Sequence, residues 1–175
     1  NVGDVRTLKL FYHGELIERD EMGWLVIKSS SNWYPRYDWR DKAMFELTFK
    51  TPKRFRFVSV GENVTNSTVD EVTTSTWVTR FPIRNASFNI GLFKEFKFED
   101  ERGPPIVGLM SEAGHERIAE YLVRNLEATG RDMEKEVGAD ITNSVFFFQN
   151  MYGKSPAEKL YATDIPGGHG EAFPG

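Results

Sequence analysis

Apolar and polar residues alternate most regularly over residues 42–52, Lys-Ala-Met-Phe-Glu-Leu-Thr-Phe-Lys-Thr-Pro. Phe45, Leu47 and Phe49 fall on one side and Glu46, Thr48 and Lys50 on the other, which is the period of a strand with one buried face. Residues 55–60 follow a Thr-Pro-Lys-Arg connection and are predicted to pair antiparallel with that strand. Leu8, Leu10 and Tyr12 alternate before His13-Gly14, and residues 24–28 form a short apolar run ahead of Ser29-Ser-Ser31. Residues 73–82 and 86–98 complete the set. Several short strands joined by short turns predict an antiparallel sheet or sandwich.

After residue 105 the period lengthens. Ile118, Tyr121, Leu122, Asn125 and Leu126 share one helical face behind a start near Ser111-Glu112. Met133, Val137, Ile141, Val145, Phe148 and Met151 recur at three- and four-residue steps, so the spacing predicts one helix over 131–152, running through Gly138. Gly153 and Pro156 supply its stop signal, and residues 159–165 read as a further strand. The fold class is therefore α+β. A β-domain over about 1–105 precedes an α-rich part with a short strand over about 106–175, and Glu99-Asp-Glu-Arg-Gly-Pro-Pro105 lies at the junction. Charge changes at the same place: residues 1–100 hold 15 Lys/Arg against 14 Asp/Glu, and residues 101–175 hold 7 against 12.

Composition narrows the chemistry. With 39% apolar and 14% aromatic residues the chain is rich enough to build a core. A formal net charge of −4 gives no footprint for nucleic acid or for an anionic membrane. There is no cysteine, which excludes disulfides, thiolate metal sites and cysteine nucleophiles. The longest apolar runs, such as residues 145–148, fall far short of the roughly 20 residues that span a bilayer. Catalytic zinc requires about three protein ligands, commonly including two histidines four apart on one helix. His13, His115 and His169 sit on distinct elements and no His-Glu-x-x-His occurs. Neither a metal site nor a catalytic residue is predicted within this chain.

Three further patterns carry candidate chemistry. Asn63-Val-Thr65, Asn66-Ser-Thr68 and Asn85-Ala-Ser87 match the glycosylation acceptor triplet, the first two in a Thr/Ser-rich stretch read as a hairpin tip, where such residues are also ordinary turn formers. Trp33, Tyr34, Tyr37 and Trp39 form either an aromatic ligand platform or a folded-back wedge of the core. The stretch Ile165-Pro-Gly-Gly-His-Gly-Glu-Ala-Phe-Pro-Gly175 fits neither helix nor central strand. Its glycines, Gly168 and Gly170 among them, permit close backbone approach to a ligand, and Glu171 behind a buried strand suits a cationic group. An ordinary glycine-rich loop would read the same way.

Two of these segments, in order, resemble the thermolysin-like zinc aminopeptidases (gluzincins). Tyr34-Pro-Arg-Tyr-Asp38 followed by Lys42-Ala-Met-Phe-Glu-Leu47 is similar to their Phe-Pro-Cys-Phe-Asp-Glu-Pro…Lys-Ala-x-Phe-x-Leu signature, with Arg36, Trp39 and Arg40 in place of Cys, Glu and Pro. Gly168-His-Gly-Glu-Ala172 stands where the family has Gly-Ala-Met-Glu-Asn; Gly168 and Glu171 match, while Gly170 and Ala172 replace Met and Asn. The resemblance covers about residues 33–175. It implies the end of an N-terminal β-domain and the start of a catalytic domain, upstream of the family's zinc motif. It also implies a peptide substrate whose α-amine meets Glu171, with zinc bound by the full-length parent and not by this chain, which alone is expected to be inactive. The residues by themselves leave a second reading open, a stand-alone β-sandwich binding module for carbohydrate or a protein partner, with the four rings as its face.

Overall fold

The computed structural model describes residues 4–19, 25–27, 33–36, 38, 40–111, 133–165 and 172. Strands β1 (Ile17–Arg19) and β2 (Leu25–Ile27) form an isolated antiparallel pair. The following strands are β3 (Glu46–Pro52), β4 (Arg56–Ser59), β5 (Glu62–Val69), β6 (Val72–Val78), β7 (Phe88–Gly91), β8 (Phe93–Phe98) and β9 (Ile106–Ser111). Helix α1 (Met133–Tyr152) and strand β10 (Leu160–Thr163) come after them. Three sheets matter for the site: β3-β6-β5, the pair β4-β7, and β10-β9-β8. The architecture is α+β, as the change of period predicts.

The alternation of β3 does what its sequence dictates, with Leu47 and Phe49 half-buried between the exposed Glu46, Thr48 and Lys50. Its ladder begins only at Glu46, although Ala43 makes an isolated bridge to Ile83. The expected pairing with the next strand does not form. All seven residues of β3 are matched by β6, from Glu46↔Val78 to Pro52↔Val72. β4 instead crosses to the other layer and pairs antiparallel with β7. The turn that redirects it is closed by the Phe55 amide donating to the Pro52 carbonyl and the Lys53 amide donating to Glu71. What rewards the crossing is aromatic packing between layers: Phe57 on β4 and Phe88 on β7 lie 4.4 and 5.4 Å from Phe49 on β3, ring to ring. Trp77, Val58 and Leu109 form the buried centre of this core.

Other expectations also need correction. Leu8, Leu10 and Tyr12 form no strand and are exposed; alternation makes a strand only where a sheet is present to receive its apolar face, and the described residues offer none. Residues 86–98 split into β7 and β8 at Leu92, which is exposed, because β7 serves β4 while β8 serves β9. Asn63 and Asn66 lie along β5 and not at a hairpin tip; the tip is Asp70-Glu71, with Asp70 at a φ of 53°. Such two-residue connections demand a positive φ, which aspartate tolerates better than most residues.

Helix α1 keeps its predicted extent, but its inward stripe is different. Glu134 and Glu136 in the first turn suit the positive end of the helix dipole. Gly153 ends it with a φ of 93°, its amide donating 2.9 Å to the Gln149 carbonyl. Gly138 and Thr142 are buried, flanked by the half-buried Val137, Ile141, Val145 and Gln149, whereas Phe148 and Met151 are exposed. The cause is the seat of Gly138 on Phe98 of β8. An added Cβ would collide with the Phe98 ring and lie 2.8 Å from its Cβ, an atom that cannot swing aside. Gly138→Ala is therefore expected to lower stability despite gaining about 0.8–1 kcal/mol of helix propensity, since overpacking of this kind costs about 1–3 kcal/mol. A thermal melt checks the sign; a raised midpoint would contradict the packing account.

The first expected helix, with Ile118, Tyr121, Leu122, Asn125 and Leu126, lies outside the described residues, so the remaining helical part rests on α1. No described helix is long and apolar enough to cross a membrane.

Candidate functional site

The candidate residues Gly168, Gly170 and Glu171 follow β10 in sequence, and the structure shows how the end of that strand is held. β10 runs parallel to β9, from Leu160↔Ile106 to Thr163↔Leu109. The Leu160 amide donates to the Pro105 carbonyl at 2.9 Å and the Asp164 amide to the Leu109 carbonyl at 3.0 Å. Asp164 then accepts the Ser111 amide on Oδ2 at 3.0 Å, so one carboxylate ties together the ends of both strands. A charge-assisted bond to a backbone donor at this point fixes the direction in which the chain leaves the sheet.

Contacts with the β-rich layers hold the same strand from its other side. Tyr161 meets Trp77 edge-on with centroids 5.7 Å apart. Asn89 on β7 donates through Nδ2 to Thr163 Oγ1 at 2.5 Å. Arg80, just after β6, forks between two acids: Nη1 and Nη2 donate to the two oxygens of Glu158 at 2.8 and 3.0 Å, and Nε and Nη2 donate to Glu62 Oε2 at 3.1 and 3.0 Å. The hydrogen bonds from Arg80 hold the Glu158 carboxyl below its ordinary value, and those to Glu158 and then Glu62 raise Arg80 further above its own. All three groups are solvent-exposed, so this fork sets geometry more than it adds stability.

The turn between β8 and β9 is stiffened in a similar way. Arg102 donates to Asp100 through Nε and Nη2 at 2.8 Å each and to Asn143 Oδ1 on α1 at 2.9 Å. Hydrogen bonds from the Arg102 side chain and amide lower the Asp100 carboxyl to about 2. Gln149 Nε2 donates to the Arg102 carbonyl at 2.8 Å, which pins α1 to this turn.

Of the residues singled out in the sequence, Trp33 and Tyr34 are core residues. The Trp33 indole N–H donates to the Ala86 carbonyl at 2.9 Å, and the Tyr34 hydroxyl accepts the Ala86 amide at 3.1 Å. Their rings meet each other edge-on, and Tyr34 meets Phe45 edge-on as well, beside Ile83 and Ala86. They are neither coplanar nor presented as a row. Asn63 donates through Nδ2 to the Thr65 and Thr76 carbonyls, Asn85 accepts from Arg36, and Asn66 is exposed. His13 is exposed and outside any strand. Gly168, Gly170, Glu171, His115, His169, Tyr37 and Trp39 lie outside the described residues. Among those described, no group of three His, Asp or Glu is placed to hold a metal ion.

β9, the middle strand of its sheet, went unread in the sequence. Its signal is the continuous apolar run Ile106-Val-Gly-Leu-Met behind Pro105, the pattern of a strand covered on both faces. Asp164 and Arg80 had no local signal, because their partners lie 53 and 78 residues away in sequence.

No protein-family model matches the chain, and no curated protein matches it. Solved structures do. The chain is similar to a two-domain M1 zinc metallopeptidase mutant bound to L-arginine, at 14% identity and a TM-score of 0.51, over 74% of this chain and 28% of that one. An M1 zinc metallopeptidase mutant of Deinococcus radiodurans bound to a Tyr-Ser-Ala substrate matches with the same values. The M1 zinc metallopeptidase of that organism also matches, at 14% identity and a TM-score of 0.50, over 74% of this chain and 27% of that one. The chain thus spans little more than a quarter of the length of these neighbours, and at this identity the likeness is one of fold. In fold, the chain resembles a part of the M1 zinc metallopeptidases.

Proposed function

We propose that this chain contributes the end of a β-domain, over about 1–105, and the start of a thermolysin-like catalytic domain, over about 106–175, to an aminopeptidase-like zinc metallopeptidase. The observation that carries this reading is the joint placement of β9, β10 and α1 against the β-rich layers, in a fold shared with M1 zinc metallopeptidases. Glu171 follows β10 by only eight residues and is assigned the substrate's α-ammonium. Gly168 and Gly170 would let the peptide backbone come close. Zinc is assigned to the full-length protein, as the resemblance implies, and no step through it is assigned to this chain. The chain's own contribution is to recognise and orient a peptide N-terminus. Trp33 and Tyr34 are spent on the core, which favours this reading over a carbohydrate- or protein-binding module that displays them.

In the full-length protein, a peptide with a free N-terminus should be hydrolysed at a rate that a chelator abolishes and zinc restores. Hydrolysis indifferent to chelation, or none of any peptide by zinc-loaded protein, would overturn the proposal.

A further inference from the structure

Helix α1 meets the sheet through Gly138, but its final turns carry Phe147, Phe148, Met151 and Tyr152, each more than half exposed. Positions i, i+1, i+4 and i+5 share one stripe of a helix. The rings are already packed on one another, Phe147 edge-on to Phe148 at 5.4 Å and Phe148 stacked on Tyr152 at 6.2 Å. A groove of about 300 Å³, lined in part by Val145, Phe148, Tyr152 and Pro156, opens beside them. With large side chains of roughly 200 Å² each, the stripe leaves on the order of 500 Å² of apolar surface in water. An apolar patch of that size on an otherwise folded chain is commonly a contact surface.

We infer that this stripe is the seat of an apolar segment from the later part of the same full-length polypeptide, which packs on Phe147, Phe148, Met151 and Tyr152. The inference rests on reading this chain as the start of a longer catalytic domain. Three observations select the occupant. The M1 neighbours in fold are matched over only 28% of their own length, so most of such a protein lies outside this chain. The area is too small for a second copy, since a stable dimer buries about 800 Å² on each partner. A segment of the same polypeptide needs less area, because its effective concentration is already high. Charge speaks against a lipid surface: a helix that lies on a membrane carries Lys and Arg on its polar face. α1 has one base, Lys135, against Glu134, Glu136 and Asp140, and no base in its last turn.

The full-length protein carries the test. Hydrogen peroxide should oxidise Met151 about tenfold or more slowly in the folded protein than in the same protein unfolded in guanidinium, at every protein concentration. A benzophenone photo-crosslinker placed at Tyr152 should label a peptide beyond Gly175 of the same polypeptide, in a species of monomer mass. Should the crosslinker variant fail to fold, peroxide on the unmodified 175-residue chain replaces it, and Met151 should react there about as fast as when unfolded. Oxidation of Met151 in the folded full-length protein at the unfolded rate would overturn the inference. So would protection that fades on dilution, the sign of a second copy, and so would labelling confined to residues 1–175 or protection already present in the 175-residue chain. Chelator-sensitive hydrolysis is read separately. An active enzyme with a reactive Met151 would sink this inference alone, and a protected Met151 in zinc-loaded protein that hydrolyses no peptide would sink the peptidase reading alone.

Discussion

Replacing Trp77 with alanine is expected to lower stability by about 3–5 kcal/mol, the usual cost of emptying a buried tryptophan site. Folded domains are stable by only about 5–15 kcal/mol, so the variant should be at or near the threshold of folding. The position explains the size. Trp77 is 4% exposed and sits with Val58 of β4 and Leu109 of β9. Its ring also meets Phe57 at 6.4 Å and Tyr161 of β10 at 5.7 Å. One side chain therefore packs against both β-rich layers and against the β9–β10 pair, and its loss loosens elements that neighbouring residues cannot draw together. The indole N–H, which donates to Ser75 Oγ at 3.1 Å, would leave that hydroxyl without its partner. Trp77→Phe keeps a ring in place and should lose less than half as much. Urea unfolding followed by far-UV circular dichroism reads both. A loss below about 1 kcal/mol for the alanine variant, the level of a surface substitution, would show that Trp77 is not the hub described here.

How much of this was legible in the sequence depended on whether the information is local. The alternation of β3 and the stop of α1 at Gly153 are written within a few residues, and both are found where the pattern places them. The choice of partner strand is not local. Residues 42–52 and 55–60 look like a hairpin, yet the hydrogen-bonding edge of β3 is taken by β6 and the intervening turn carries β4 to the other layer. The buried face of α1 shows a subtler failure. Apolar identity pointed to Phe148 and Met151, but the decisive residue is Gly138, because only a missing side chain accepts Phe98 at that crossing. Around the candidate site, the β10 strand that leads to Glu171 was legible. The anchors that hold it were not, since the bonds from Asp164, Asn89 and Arg80 that reach the β9–β10 region span more than fifty residues.

Glu171→Gln is the second large effect expected, this time on recognition and not on folding. A carboxylate that receives a substrate ammonium in a desolvated cleft makes a charge-assisted contact worth about 1.5–3 kcal/mol, or roughly ten- to a hundredfold in affinity. Glutamine keeps the shape and one carbonyl acceptor but removes the charge. A peptide with a free α-amine should feel the whole loss, and its N-acetylated counterpart, whose amide carries no charge, should feel almost none. Glu171 is the one carboxylate of Gly168-His-Gly-Glu-Ala172. Discrimination between the two substrates should therefore depend on this side chain.

The most direct test of the account is kcat/KM for a free-amine peptide and its N-acetylated form, measured on the full-length protein with Glu171 intact and with Glu171→Gln. The account predicts a fall of roughly ten- to a hundredfold for the free-amine peptide alone. An equal fall on both substrates, or no fall on either, would contradict it.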